Sequence, residues 1–89
     1  MKTAFASNSF QRDFKLAAKR GKAVRKFQAI LDLLLDDKPL PLRRRPHKLS
    51  GNYAGLWECH IEPDWLLIYD VTKTEIRLYR LGSHSDLFS

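Results

Sequence analysis

All three histidines of this 89-residue chain, His47, His60 and His84, fall in its second half. Two of them stand in dense polar segments, His60-Ile61-Glu62-Pro63-Asp64-Trp65 and Arg80-Leu81-Gly82-Ser83-His84. Imidazole both gives and takes protons near neutrality, and arginine is a permanent cation suited to phosphate. Cleavage of RNA through its own 2′-hydroxyl needs such a set. A base takes the 2′ proton, a cation stabilises charge on the phosphorane oxygens, and an acid protonates the departing 5′ oxygen. His47, His60, His84 and Arg80 can fill these roles without a metal, while Asp64 can orient a histidine or act as the base. Trp65 and Phe88 are the aromatic candidates for base stacking, which contributes about 1–3 kcal/mol per base in single-strand binding.

Each of these residues also has a plain structural reading. A lone histidine in a small domain is commonly a surface or hydrogen-bonded group. Trp65 begins an apolar segment and can be core, and Phe88 can simply dock the C-terminus. Arg80 can be a paired strand arginine, with Asp70 or Glu58 as partner. Strand alternation puts it in phase with Ile76 and Leu78, although twist near a strand end weakens that parity. The run Arg43-Arg44-Arg45 is either a solvated loop or a grip on phosphates that positions a substrate. No metal motif is present, because the histidines lie 13 and 24 residues apart and no cysteine pair exists. Cys59 adjoins His60, but neighbours on a strand point to opposite faces, which argues against a cysteine–histidine pair.

The elements that must position these groups read as α+β. Lys2 to Ala6 predicts a short first strand, and Ser7-Asn8-Ser9 offers side-chain acceptors to cap a helix. Phe10, Phe14, Ala17 and Ala18 then recur at helical spacing up to Gly21, a natural stop. Val24, Phe27, Ile30, Leu31, Leu34 and Leu35 form the apolar stripe of a second helix, which Asp36-Asp37-Lys38-Pro39 ends. Residues 39–50 read as an irregular connection. Tyr53 to Ile61 predicts a strand weakened near Gly55, and Glu62-Pro63-Asp64 a turn. The near-continuous apolar run Trp65 to Val71 predicts a central strand buried on both faces. Thr72-Lys73-Thr74 makes the next turn, before a third strand from Glu75 to Leu81. Strand, two-helix hairpin and antiparallel meander give a single domain over residues 1–89, with helices packed on one sheet face.

Bulk properties narrow the function classes. The 44% hydrophobic fraction is that of a folded globule, not a disordered chain. A single cysteine excludes an intrachain disulfide framework and suits a reducing cytosol. The stretch Met1 to Ala6 is too short for a secretory signal. Apolar runs such as Trp65 to Tyr69 are far below a membrane span, so a soluble cytoplasmic protein is expected. The net charge of +6 is unevenly placed: residues 1–48 carry 13 Lys/Arg against 4 Asp/Glu, and residues 49–89 carry 3 against 6. A cationic half favours polyanions, because neutralised phosphates release counterions.

Taken whole, the chain resembles the YafQ-type toxins of bacterial toxin–antitoxin pairs, within the RelE/ParE superfamily. The resemblance rests on His47-Lys48-Leu49-Ser50-Gly51, on Glu58 through Tyr69 with its H-x-x-P-D-W element, and on R-x-G-x-H with the ending Leu87-Phe88. It implies a RelE-like microbial RNase fold and ribosome-dependent, metal-independent cleavage of mRNA in the ribosomal A site, with no cofactor. It also implies a cognate antitoxin as partner in a hetero-oligomer. The family's catalytic set falls on His47, His60, Asp64, Trp65, Arg80, His84 and Phe88, with Trp65 and Phe88 as substrate contacts beside the phosphate-gripping Arg43–Arg45 run read from the residues themselves. Arg80 and His84 are assigned to the reacting phosphate, and His47, His60 and Asp64 to proton transfer and orientation. One departure is Trp57, where relatives commonly carry arginine. The rival readings are a ParE-like binding toxin acting on DNA gyrase, a branch that generally lacks this histidine set, and a basic RNA-binding module without catalysis.

Overall fold

The computed structural model describes residues 1–88. Strand β1 (Thr3–Ala6) leads into helix α1 (Asn8–Lys19) and helix α2 (Val24–Leu35). A 3-10 turn at Leu42–Arg44 precedes the two-residue strand β2 (His47–Lys48). Strands β3 (Trp57–Glu62), β4 (Trp65–Val71) and β5 (Glu75–Gly82) follow, and a five-residue helix α3 (His84–Phe88) ends the described chain. The sheet order is β1-β5-β4-β3-β2, with β1 parallel to β5 and the other neighbours antiparallel.

Local chemistry explains the helices. The Ser7 hydroxyl accepts the Phe10 N–H at 2.9 Å and donates to the Tyr79 carbonyl at 2.8 Å, so one side chain starts α1 and ties it to β5. Gly21 ends the helix in the left-handed region, at φ 76°. The apolar stripes of both helices then close on one face of the sheet. Phe10, Phe27 and Ile30 pack there with Cys59, Ile61 and Trp65. On the other face, Leu66 and Ile68 form a smaller cluster with Leu87 of α3. Strand β4 is buried on both faces from Trp65 to Tyr69, as its apolar run predicts.

Several boundaries differ from the sequence reading. The strand expected from Tyr53 begins only at Trp57, because Gly51–Tyr53 closes a 3-10 turn and Gly55 takes φ 87°. Within the connection expected to be irregular, His47 and Lys48 pair with Glu58 and Trp57. Helix α3 was not anticipated; one turn is too short to show periodicity. It approaches β5 closely only because Gly82 lacks a side chain: a Cβ there would meet Cβ of Asp86 at 2.9 Å.

A bulge decides where Arg80 goes. Ile68 pairs with Arg80 while the next residue, Tyr69, pairs with Leu78, leaving Tyr79 as the extra residue on β5. Leu78 and Leu81 therefore both join the helix-side core, and Tyr79 packs on the smaller cluster. The simple parity that placed Arg80 with Ile76 and Leu78 is broken by this one residue.

Candidate active site

The short pairing of β2 with β3 sets His47 directly opposite Glu58, and Glu58 and His60 lie two apart on one strand face. The turn at residues 83–84 starts α3 and brings His84 alongside. The result is a row of rings: His47 to His60 at 6.4 Å between centroids, His60 to His84 at 6.2 Å, and His84 to Phe88 at 5.6 Å. Residues spread over 42 positions of sequence thus form one continuous line. Phe88 ends it edge-on to Tyr53, 5.6 Å away, and is 44% exposed, leaving its ring free to stack.

Each imidazole is oriented by a neighbour. Nδ1 of His47 lies 2.8 Å from the Arg45 carbonyl, and Nδ1 of His60 lies 3.3 Å from the Pro63 carbonyl. The Asp64 carboxylate accepts the backbone N–H of His84 at 2.9 Å and stands 3.4 Å from its Nδ1. That backbone hydrogen bond, with the side chain of His84, holds the Asp64 carboxyl below its ordinary range. A carboxylate so stabilised is a weak proton acceptor near neutrality, which favours orientation of His84 over proton abstraction. With Nδ1 of His84 turned to Asp64, its Nε2 is left for a substrate.

Arg80 is held by a residue that sequence reasoning missed. Its partner is neither Asp70 nor Glu58 but Asp13 of α1, with Nε at 2.7 Å from one carboxylate oxygen and the terminal nitrogen at 3.3 Å from the other. Asp13 also accepts the Leu81 N–H at 3.0 Å. This pairing raises Arg80 further above the guanidinium's usual value, so the cation is permanent and fixed in direction. Nothing in the sequence links residues 13 and 80; the contact exists only because α1 packs on β5. Glu58, the other omission, was legible as the residue two before His60.

Trp65 requires correction as a stacking platform. It is 1% exposed, its indole packs in the helix-side core, and Nζ of Lys22 lies 5.8 Å from its ring centroid at the cleft edge, so its face is covered. Cys59 is likewise out of reach: burial pushes its thiol up to about 12, and a neutral buried thiol is no nucleophile. Arg43, Arg44 and Arg45 border a cleft of about 1000 Å³ that also touches His60, Asp64 and Arg80. Arg44 is tied to the Ile61 carbonyl, and across the cleft Lys26 reaches Glu62 at 3.0 Å. Trp57 is half-buried against the main core with Nζ of Lys48 5.7 Å from its ring centroid, so a cation sits beside that aromatic. Among the described residues, no three His, Cys, Asp or Glu side chains are grouped to hold a metal ion.

Comparison with known proteins identifies the same fold in characterised relatives. The mRNA interferase toxin YafQ of Escherichia coli K12 is 40% identical over 83 residues, covering 92% of this chain and 90% of the relative. The crystal structure of YafQ from E. coli BL21(DE3) matches over 100% of both chains with a TM-score of 0.94 and 36% identity. YafQ in the E. coli DinJ-YafQ complex matches over 100% of both chains with a TM-score of 0.92 and 37% identity. The family model for YafQ, bacterial toxin of a type II toxin-antitoxin system, matches residues 2–89. The matches over the whole fold place the chain in the YafQ family of type II toxins.

Proposed function

We propose that this protein is a cytoplasmic endoribonuclease toxin that cuts ribosome-bound mRNA without a metal ion. Residues 1–89 act as one toxin domain. The observation that carries this reading is the unbroken row His47, His60, His84 and Phe88. General acid–base groups stand side by side with an aromatic ring for the substrate base. The mRNA interferase activity named for the 40% identical E. coli relative supports the same reading.

In this mechanism His60, assisted by His47, takes the 2′ proton. The 2′ oxygen then attacks phosphorus in line. Arg80, aimed by Asp13, balances charge on the non-bridging oxygens. His84, oriented by Asp64, gives its Nε2 proton to the 5′ oxygen as the P–O5′ bond breaks. Phe88 stacks on a base beside the scissile phosphate. The arginines at 43–45, with Arg20, Lys22 and Lys26 around the cleft, hold the phosphates of mRNA or ribosomal RNA.

A cognate antitoxin silences the toxin by laying an acidic segment along this basic cleft, where it covers His60 and Arg80. The DinJ-YafQ complex of the relative supports such a partnership. Among the described residues no helix is long and apolar enough to cross a membrane.

Primer extension on mRNA engaged by isolated ribosomes tests the reading, with a chelator kept below the level that strips ribosomal magnesium. Discrete cuts that require ribosomes and vanish in His84→Ala are expected. Intact mRNA in the presence of folded, growth-inhibiting protein would overturn the nuclease and favour a non-catalytic binding toxin.

A further inference from the structure

Glu58 is the one buried charged residue among those described, at 3% exposure, and it lies on the face that carries the histidines. Its Oε1 stands 3.3 Å from Nε2 of His47 and 3.7 Å from Nε2 of His60, while its buried Oε2 has no hydrogen-bond partner. Across β4 its neighbour is the apolar Ile68. Beyond Ile68, Arg80 is committed to Asp13, so no cation from that side serves Glu58. On the other side, Arg44 is tied to the Ile61 carbonyl. The two imidazoles are the only cationic groups within 4 Å of this carboxylate among the described residues.

Hydrogen counting then constrains the cluster. Nδ1 of His47 and Nδ1 of His60 each face a backbone carbonyl, which only accepts, so each Nδ1 carries a proton. A neutral imidazole has one N–H, which leaves a lone pair on both Nε2 atoms. An ionised carboxylate also offers only lone pairs. With the Glu58 side chain 4% and that of His60 13% exposed, three converging acceptors need a donor, either a proton held among them or water at the edge of His47, which is 49% exposed.

We infer that Glu58, His47 and His60 hold one resident proton among them, with Glu58 as a positioning residue that joins the two imidazoles into a single unit. The shorter contact puts that proton on Nε2 of His47, 3.3 Å from Oε1 of Glu58 as an ion pair. Nε2 of His60 keeps its lone pair and is the proton acceptor. When His60 takes the 2′ proton, the imidazolium so formed faces the same carboxylate. This inference rests on the nuclease reading for its kinetic consequence, but not for the location of the proton.

Long-range ¹H–¹⁵N correlation on histidine-labelled full-length protein at neutral pH locates the proton directly. The expected pattern is His60 as the neutral Nδ1–H tautomer, and His47 with an Nε2 shift moved toward the protonated value. In Glu58→Gln the amide supplies the missing donor, so the resident proton leaves and His47 reverts to the neutral Nδ1–H pattern. Single-turnover cleavage then falls about a hundredfold with KM for ribosome-bound mRNA unchanged, and Glu58→Asp restores part of both the rate and the spectrum. A wild-type His47 whose Nε2 is a bare acceptor would overturn the inference, as would a Glu58→Gln protein with unaltered rate. The wild-type spectrum decides the matter even if the variant fails to fold. Absence of any cleavage by the wild type would instead remove the nuclease reading and leave the spectrum standing.

Discussion

The two faces of one sheet use the same strands for opposite ends. On β3, Cys59 and Ile61 point to the helices and are fully buried, while Glu58 and His60 point the other way. The helix-covered face is filled with apolar side chains and carries most of the core. The second face is covered by the single turn of α3 and by Leu49, Tyr53 and Leu56 of the preceding loop, and its gaps hold imidazoles. A carboxylate as buried as a core leucine sits among them, on the face that contributes least apolar burial. The difference shows how a small domain separates folding from chemistry: period-two alternation lets each strand serve both, provided that no bulge shifts the phase.

If the division is real, substitutions on the two faces must fail in different ways. The largest effect is expected from His84→Ala, which lowers cleavage by about a hundredfold to ten-thousandfold. Its unfolding free energy stays within about 0.5 kcal/mol of wild type in urea titration, because the side chain is exposed. Ile61→Ala on the opposite face should cost about 2–5 kcal/mol of stability. Its cleavage rate per folded molecule is unchanged, and a specific loss of rate would break the comparison.

Gly82→Ala tests the seam between the faces. The added methyl meets Asp86 and Leu87, so α3 is pushed outward at a cost of about 1–3 kcal/mol. His84 and Phe88 resonances shift while those of Ile61 and Trp65 do not. Ser7→Ala removes a cap that also donates to β5, and about 1 kcal/mol of stability is lost with no change in cleavage.

The smallest expected effect is an acid detachment of α3. Asp64 and Asp86 are both held below the ordinary value of 3.8, Asp64 chiefly by the His84 backbone N–H and Asp86 by that of Ser83. Depressed folded-state values mean that this contribution is complete above 3.8 and is lost as pH falls through the lower folded values. Chemical shifts of α3 should therefore move in acid before those of the helix-side core.

Much of this division is legible in the residues. The apolar stripe of Val24 to Leu35 determines a helix, and the unbroken run from Trp65 determines a strand covered on both faces. His60 and Glu58, two apart on a strand, must share a face whatever the rest of the fold does. The histidine set and the H-x-x-P-D-W element already implied acid–base chemistry. The pairing of His47 with Glu58 was hidden, because two residues of strand carry no periodicity of their own.

What the sequence by itself determined was therefore local: helix and strand types, capping at Ser7, the turn at Pro63, and which side chains alternate together. Tertiary structure alone decided the rest. It chose Asp13 as partner of Arg80 across 67 positions, buried Trp65 in the core rather than presenting it to a base, and used one bulge at Tyr79 to reset the face of Arg80. The physical reason is that periodicity and capping act over a few residues, whereas those three outcomes depend on how α1 and β4 meet β5. That meeting is set by the packing of the whole chain.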